Sequence, residues 1–526
     1  MSEVFPKKLR GWRFVLFNLC LGLGHAVVLF NAGAYIAMLP RVVGGLSIPP
    51  SFATWTQTDY MLGLALALPV GIWMSRRLGE YRPLVWAFIV FALASTVCAY
   101  SSSLYEFLAA RIVLGFSGGM TLPLGQSMLM KEYPQRRKNI GIGVWTLFTL
   151  TPFTFGPPCG GWIADNLGWR WLFIINVPLA LAIAGIVGAL LYRRGAKLIR
   201  RRFDLVGFLL LLAALASFQT LLNQGNDWDW NNSLYLMGLL GFCLMALSYW
   251  VVWELSVRHP FLDIRLFAQR NFAIGTLVLF FGFMFFQGLL SLLVVQLQLT
   301  MGYSSFLAGL VFLPMAIFAK PVAGGFHQIV KHVDARLLAS LNLLGFAGTY
   351  FWLSRFEHFD AYQQLFWPKL LEGICLGSFF APLTALLLHG LPPDRQWRAV
   401  ELATSLRIAA GAIGISFQGI VFYFLTPLHQ THFAETHTPF DQRFSESIEL
   451  LTDSGFSGST ALIQFAGMGR EQAAIRAIND AFWLAGCVFI ALSLLVWLAH
   501  PTRQPAKGTL AQRMRRRALA LLVREV

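Results

Sequence analysis

The chain has 526 residues, of which 56% are hydrophobic and only 13% are charged. Soluble chains carry about 25% charged residues, roughly twice this fraction. A run of about 20 apolar residues is long enough to cross a bilayer. If the apolar residues of this chain form such runs, the composition excludes an ordinary soluble protein. The formal net charge of +16 would suggest nucleic-acid binding in a soluble protein. In a membrane protein, an excess of positive charge arises because lysine and arginine are concentrated in the cytoplasmic loops. We therefore expect no nucleic-acid partner.

Fourteen apolar runs of bilayer length follow one another along the chain. Because they do not alternate polar and apolar residues, they predict helices rather than the strands of a barrel. The fold class is therefore all-α integral membrane, with fourteen transmembrane helices. The runs lie at 12–39, 52–74, 84–100, 104–130, 139–162, 171–192, 205–223, 234–257, 272–298, 305–330, 337–354, 365–389, 399–426 and 480–499.

Lysine and arginine concentrate in alternate connections between these runs, as is typical of cytoplasmic loops. The asymmetry predicts that both termini are cytoplasmic and that the protein is multi-pass in a bacterial inner membrane. We expect no cleavable signal peptide, because the first run is too long and lacks a cleavage site of small residues. The basic run at 513–517 is expected to touch anionic membrane lipid.

The runs divide the chain into two groups of six with a pair between them. We predict an N-terminal six-helix half at 1–192, a basic linker with an inserted helix pair at 193–257, and a C-terminal six-helix half at 258–499. The second half contains a predicted extracytoplasmic loop at 427–479, and a basic cytoplasmic tail follows at 500–526. Two six-helix halves around a midplane site are typical of transporters.

The sequence contains no pattern that indicates an enzyme. The six cysteines all lie in apolar runs, without the spacing of a metal site or a disulfide framework. No nucleophile–base arrangement, phosphate loop or metal motif is visible. We therefore expect no catalytic residue, no bound metal and no cofactor.

The clearest motifs lie in and after the fifth run. Residues 156–161 read GPPCGG, residues 168–178 read GWRWLFIINVP, and residues 111–115 in the fourth run read RIVLG. These segments resemble the GPxxGG, GWRWIFxINVP and RxxxG motifs of the major facilitator superfamily, specifically its 14-span drug:proton antiporters of the EmrB/QacA type. The resemblance covers about residues 12–500.

The resemblance implies a proton-driven exporter of hydrophobic or amphipathic compounds, with a small-molecule substrate and protons as partners. It also implies a periplasmic adaptor and an outer-membrane channel as further partners. The alternative is a dedicated exporter of one endogenous metabolite, such as a siderophore or an organic acid.

Physical reasoning supports a functional role for the fifth-span motif. Gly156, Gly160 and Gly161 let neighbouring helices approach closely, and Pro157 removes a backbone donor and bends the helix. Such a helix suits a cavity wall that seals in one state and opens in another. The alternative is a static packing kink.

Two positions depart from the family pattern. The family's first span carries an acid where this chain has Asn31, and the loop after its second span carries an acid where this chain has Arg76. The loop residues Arg76, Arg77, Gly79 and Glu80 are our candidates for a cytoplasmic latch. These departures predict that proton coupling relies on another acid.

Asp59 is the candidate for that acid. Asp59 in the second span, Arg111 in the fourth and Asn31 in the first all lie roughly 10–12 Å below the outer surface, at about 1.5 Å per residue. Charges at membrane depth are costly and mark functional sites. We hypothesise that Asp59 pairs with Arg111 and couples transport to protons. The alternative is a permanent structural ion pair.

Other polar residues at membrane depth are assigned to the substrate cavity, since an apolar, aromatic cavity with few polar groups suits amphipathic ligands. For His25 the alternative is a satisfied interior residue. Glu372 could instead pair locally with Lys369, and Lys320 could either attract an anion or extend to the membrane surface. The assigned residues are His25, Asn31, Tyr35, Gln126, Gln287, Lys320, Glu372 and Arg407.

Overall fold

A computed structural model describes residues 9–49, 52–134, 138–192, 202–356, 362–436, 438 and 441–502. Within these ranges the chain forms α-helices, short 3₁₀ turns and connections, and no strand. The predicted all-α class is thus confirmed. Most of the predicted basic linker at 193–204 and of the basic tail at 500–526 lies outside the described residues.

The described helices follow the predicted order along the chain. The first six are α1 Trp12–Leu46, α2 Ala53–Leu78, α3 Tyr81–Tyr100, α4 Leu104–Glu132, α5 Lys138–Asn166 and α6 Trp171–Leu191. The next two are α7 Leu205–Gln224 and α8 Leu234–Ser256. The remainder are α9 Arg270–Leu299, α10 Ser305–Leu310, α11 Leu313–Ile329, α12 Ala335–Leu353, α13 Tyr362–Leu388, α14 Pro393–Thr436, α15 Gln442–Asp453 and α16 Gly458–Val496.

Each of the fourteen predicted spans overlaps a helix, although the tenth is divided into α10 and α11. Among the described residues, twelve of these segments are long and apolar enough to cross a membrane. The helices α5 and α12, at the fifth and eleventh predicted spans, are not among those twelve. A membrane protein with many spanning helices is therefore supported, and the count of fourteen stays a prediction.

The helices pack in a pattern that repeats along the chain. In the first group α1 packs on α5, α2 on α4, and α3 on α6. In the later group α9 packs on α14, α11 on α13, and α12 on α16. Since these pairs occur in the same order, the two groups have the same internal arrangement, as expected for two structural repeats.

The helices α7 and α8 pack on each other, and α7 also contacts α2 and α14. A buried hydrogen-bond cluster joins the three helices at Asn223. The Asn223 side chain donates to Thr58 on α2 at 3.2 Å, and its oxygen accepts from Ser416 on α14 at 2.5 Å. The Gln219 amide also donates to Ser416 at 2.5 Å. The pair is thus attached to both groups of six helices through α7.

The predicted extracytoplasmic loop at 427–479 is largely helical where the structure describes it, and its position outside the membrane stays a prediction. The helix α14 continues to Thr436 and is 44 residues long, and α16 begins at Gly458 and is 39 residues long. Between them α15 packs on α16 through Phe444 and Phe465, whose ring centres lie 5.1 Å apart. These segments form a helical projection beyond one end of the bundle.

We call the two ends of the bundle the basic end and the far end. The basic end contains the α2–α3 connection with Arg76 and Arg77, the end of α4 with Lys131, and the start of α14. The far end contains the α1–α2 and α5–α6 connections and the helical projection.

Candidate functional site

A large cavity lies between the two groups of six helices. Its volume is about 1460 Å³, and it runs from the middle of the bundle to the basic end. The inner part is apolar and aromatic, with Met61, Leu64, Phe283 and Phe380 among its walls. Most of its charged residues lie towards the basic end: Arg76, Glu80, Lys131, Glu132 and Glu401.

Arg407 is the charged residue of the inner part of this cavity. Its guanidinium carbon lies 4.8 Å from the ring centre of Phe380 and 5.2 Å from that of Phe283. Among the described residues, no carboxylate lies within ion-pair distance of Arg407. Glu401, six residues earlier on α14, lines both this cavity and a smaller adjoining one that also contains Arg76 and Arg398.

Two further predicted cavity residues line this space. His25 on α1 lies against Trp145, with their ring centres 4.1 Å apart. Gln126 lies on α4, on the opposite wall from Arg407 on α14. Three of the eight candidates therefore line this cavity: His25, Gln126 and Arg407.

Asn31 and Tyr35 do not line the cavity, so their assignment to it was wrong. Asn31 is buried against α6, where its side chain and that of Asn176 exchange two hydrogen bonds of 3.1 Å. Tyr35 is fully buried with its ring 3.9 Å from the Arg111 guanidinium carbon. Both side chains lie on faces of α1 that pack against other helices, which spacing along one helix cannot reveal.

Gln287, Lys320 and Glu372 also lie outside the cavity walls. Glu372 is buried and accepts a 2.6 Å hydrogen bond from Lys369, one helical turn away, so the local pair is the correct interpretation. Gln287 is fully buried on α9, and Lys320 is half-buried on α11. These assignments failed because residues at cavity depth can face a neighbouring helix instead.

Arg111 is fully buried on α4 and bonds to α2, but not through Asp59. Its Nε donates to the Thr56 carbonyl at 2.8 Å, and Nη2 donates to the Gln57 side-chain oxygen at 2.9 Å. The predicted Asp59–Arg111 ion pair is therefore absent among the described residues in this conformation. Nη1 of Arg111 has no hydrogen-bond partner there.

Asp59 is buried on α2, with 9% of its surface exposed. It follows Thr58, which belongs to the hydrogen-bond cluster with Asn223 on α7. Asp59 and Arg111 are thus both buried on neighbouring helices, α2 and α4, and their role in proton coupling stays a prediction.

The fifth-span motif forms a seam at the far end between the two groups of helices. Gly156 and Gly160 lie against the backbone of α1 at Gly33 and Ala34, where an added Cβ would collide. Gly161 lies equally close to the backbone of Ser305 on α10, and Gly309 lies close to Pro157. Glycine at these positions is thus required by close helix approach.

Asp165, one turn after the motif, closes the same seam and was missed by the sequence reasoning. Its carboxylate accepts from the backbone N–H of Phe306 at 2.8 Å and of Ser305 at 3.3 Å, at the start of α10. It also pairs with Arg41 on α1 at 3.1 Å. Its spacing of four residues from Gly161 was the available signal, since it places both on one face of α5.

At the basic end the predicted latch residues make separate contacts. Arg76 lies over the Trp397 ring of α14 at 3.9 Å, which joins the two groups of helices. Glu80 accepts from Ser127 at 2.6 Å and from Lys131 at 2.8 Å, both on α4. Arg77 lies over the Trp73 ring at 5.4 Å, and Gly79 has a positive φ of 82° that favours glycine.

Residues 21–415 match the family described as the Major Facilitator Superfamily. The chain belongs to the major facilitator superfamily. Among its relatives, the multidrug export protein EmrB of Escherichia coli strain K12 is 31% identical over 499 residues, which cover 94% of this chain and 97% of EmrB. The fatty acid resistance protein FarB of Neisseria gonorrhoeae is 31% identical over 496 residues, which cover 94% of this chain and 97% of FarB.

Solved structures support the same fold. A bacterial homologue of the human lysosomal transporter Spinster, in an inward-facing and unoccupied conformation, matches with a TM-score of 0.62 and 14% identity, over 95% of this chain and all of the other. An auto-inhibited peptide transporter of the POT family matches with a TM-score of 0.59 and 15% identity, over 94% and 99%. The predicted resemblance, the membrane location and the assignment to transporters rather than enzymes are confirmed for this major facilitator protein.

Proposed function

We propose that this transporter is a proton-driven exporter of hydrophobic and amphipathic compounds in a bacterial inner membrane, with both termini and the basic end cytoplasmic. One observation carries the proposal. The far end is closed by backbone contacts of the antiporter-type motif, while an apolar cavity of about 1460 Å³ extends to the basic end. An exporter must load from the cytoplasm, and this conformation would do so.

The names of the relatives support export of apolar molecules. EmrB is named for multidrug export and FarB for resistance to fatty acids. Both align with nearly the whole chain, so the correspondence includes the cavity, the seam and the projection. The dedicated exporter of one metabolite is less favoured, because Lys320, which suggested an anionic metabolite, lies outside the cavity walls.

Asp59 is the proposed proton carrier. Its protonation would remove the charge that Arg111 attracts, and its deprotonation would favour rotation of the Arg111 side chain towards it. Such an exchange of partners would move α2 against α4, and these helices pack closely together. The proton gradient would thereby bias the two conformations that alternate during transport.

Transport into liposomes tests this function. We expect the reconstituted protein to move neutral and charged fluorescent amphiphiles only when a pH gradient is imposed, and a protonophore to abolish the movement. Proteoliposomes of an Asp165→Ala, Gly161→Val double variant, in which the closed seam is destabilised, serve as the control and should show weaker gradient-driven movement. Movement that is independent of the gradient would contradict the proposal.

We further propose that the helical projection binds a periplasmic adaptor, which in turn contacts an outer-membrane channel. The projection lies at the end opposite the cavity opening, where an exporter would release its substrate. It exposes Leu450 on α15 and Ile463 on α16, at 68% and 72% of their surfaces. Whole-cell efflux that is unchanged after removal of the adaptor would refute this partner.

A further inference from the structure

Two carboxyl groups bind the connection between α8 and α9. Asp204, at the start of α7, accepts hydrogen bonds from the backbone N–H of Phe261 at 3.2 Å and from the indole N–H of Trp253 at 2.9 Å. Glu254, near the end of α8, accepts from the backbone N–H of Leu262 at 3.4 Å. Because Phe261 and Leu262 are adjacent, both side chains bind the same short stretch of backbone.

The two carboxyl groups meet beside Gly207 on α7. A Cβ added to Gly207 would lie 2.6 Å from Oδ2 of Asp204 and 2.8 Å from Oε1 of Glu254. The two oxygens therefore flank one small volume. Two carboxylates that share such a site repel each other when both are ionised.

No cation neutralises this pair in the part of the chain that the structure describes. There, no lysine, arginine or histidine lies within ion-pair distance of Asp204 or Glu254. Arg265, in the same connection, donates instead to the backbone carbonyls of Leu255 and Val257, at 2.7 and 2.9 Å. Two acids therefore meet here without a compensating charge.

The other charged residues near the pair lie on the surrounding elements. Asp263 in the connection pairs with Arg398 on α14 at 3.1 Å. Arg258 and His259 are exposed. The smaller cavity beside Asp204 is also lined by charged residues of α2, the 202–204 segment and α14: Arg76, Arg202 and Glu401.

Glu254 is the member of the pair that is shielded from solvent. It is fully buried, and among the described residues its Oε2 has no hydrogen-bond partner. The indole N–H of Trp250, one turn earlier on α8, faces it without a hydrogen bond of ordinary geometry. An ionised carboxylate buried in this way is costly, and a bound proton removes that cost. Asp204 is half-buried and lines the smaller cavity, so protons from the basic end can reach the pair.

We propose that Asp204 and Glu254 share one proton, which attaches the connection after α8 to the start of α7 and is released when the pH at the basic end rises. Neither residue lines the large cavity between the two groups of helices. The inference therefore goes beyond the proposed export function and does not depend on it.

Release of the proton would affect the basic end of the bundle. It would leave two negative charges beside Gly207, and their repulsion would loosen the connection. The connection also carries Asp263, whose partner Arg398 follows Trp397 on α14. Since Arg76 of α2 lies over the Trp397 ring at 3.9 Å, the loosened connection would border a contact between the two groups of helices.

Infrared spectroscopy of the purified full chain, in a detergent without ester or carboxyl groups, tests for the proton directly. A protonated carboxyl group has a C=O stretching band that a carboxylate lacks. We expect the native protein to lose the band of one such group as the pH rises from about 6 to about 9. Glu254→Gln should lack this component at every pH. Glu106→Gln, the same change at an exposed position of α4, should retain it.

Asp204→Asn separates the effect of the second charge from that of burial. Asparagine still caps α7, but it removes the negative charge beside Glu254. The carboxyl band should therefore disappear at a lower pH than in the native protein. An unchanged band in Glu254→Gln, or an identical pH dependence in Asp204→Asn and the native protein, would overturn the inference.

Thermal unfolding gives a second measurement that needs no transport. The folded chain would hold a proton that the unfolded chain releases at neutral pH, so this part of the stability is present at low pH and lost as the pH rises. One proton changes the folding equilibrium by about tenfold per pH unit. The native unfolding temperature should fall more steeply with pH than that of Glu254→Gln, and parallel curves would contradict a shared proton.

A metal ion is the competing way to neutralise the pair. The described residues contain no group of three or more histidine, cysteine, aspartate and glutamate side chains that could hold one. We therefore expect EDTA to leave the unfolding temperature of the native protein unchanged. A fall on addition of EDTA that is absent in Glu254→Gln would place a metal ion at the pair and overturn the inference.

Discussion

At the scale of the residue, the proposed coupling of transport to protons depends on one acid, Asp59. Replacing Asp59 by Asn keeps the size of the side chain but removes the group that binds a proton. We expect Asp59→Asn to bind fluorescent amphiphiles normally and to lose transport driven by a pH gradient. The measurement is dye movement in proteoliposomes, with and without the gradient.

Asp453→Asn on the exposed end of α15 provides the matched control, since it makes the same chemical change far from the bundle interior. It should transport like the native protein. Asp59→Glu should retain gradient-driven transport in part, because it keeps a titratable group on α2. Full gradient-driven transport by Asp59→Asn would remove Asp59 from the mechanism.

For individual residues, the sequence predicted whether a side chain lies inside the bundle better than it predicted which neighbour the side chain faces. Composition and span boundaries located His25, Asn31, Tyr35 and Gln287 in the membrane, and all four are buried or line the cavity. Only His25 among these four faces the cavity, because direction depends on which helices pack on which faces. Asp165 was missed for the same reason, since its partners on α10 are 140 residues away.

At the scale of elements, the seam between α5 and α10 should control access to the far end. Gly161→Val would place a branched side chain against the backbone of Ser305, where no space exists. Such overpacking costs about 1–3 kcal/mol, so we expect the closed conformation to lose population by about tenfold. Gly185→Val on α6 is the control, because an added Cβ there meets open space.

Spin-label distances at the far end measure this change. Labels at Asn166 on α5 and Leu307 on α10 are both exposed and lie on opposite sides of the seam. In a background without native cysteines, Gly161→Val should shift the distribution to longer distances, and Gly185→Val should not. Identical distributions for the two variants would show that the seam is a static kink.

The attachment of α7 gives a second prediction for an element. Asn223→Leu removes the bonds to Thr58 and Ser416 and leaves buried polar groups unpaired, which costs about 1–3 kcal/mol. We expect a lower thermal unfolding temperature for the purified protein. Asn226→Leu, which removes one bond to Trp230 within a turn, should lower it less. Equal effects would show that the cluster does not hold α7.

Apolar runs predicted the elements inside the membrane well and those outside it poorly. Each run became a helix, because a chain in lipid must satisfy its backbone internally. The projection at 427–479 is rich in polar residues, Gly and Ser, so composition suggested a loop. Its helices are instead stabilised by contacts between Phe433, Phe444 and Phe465, which are distant in sequence.

At the scale of the whole molecule, transport and delivery should be separable. α15 buries none of its residues in the bundle. Replacing residues 441–457 by a flexible linker should therefore leave gradient-driven transport in proteoliposomes intact. Efflux from whole cells should fall, because the adaptor would lose its contact surface. Equal efflux from cells with native and shortened proteins would contradict a role for the projection in delivery.

The architecture of the whole molecule was predictable where it depends on apolar runs that recur along the chain. The all-helical class, the family and the membrane location all followed from the apolar runs and motifs, while the order of six, two and six spans stays a prediction. The attachment of α7 to both groups was not predictable, because it depends on polar residues such as Gln219 and Ser416 that look unremarkable in sequence. The sequence likewise could not predict which end of the cavity is open, because this depends on how the helices pack.

The length of α14 has a mechanical consequence. The helix carries Arg407 in the cavity and ends at Thr436 in the projection, so it acts as a lever with an arm of about 44 Å at about 1.5 Å per residue. A tilt of about 5° at the cavity would move the tip by about 4 Å. Pro427 lies within this arm, and because proline lacks a backbone N–H donor it would absorb part of such a tilt. The position of the helix tip in the projection would therefore depend on the conformation of the cavity. Pro427 would determine how much of the tilt at the cavity reaches the tip.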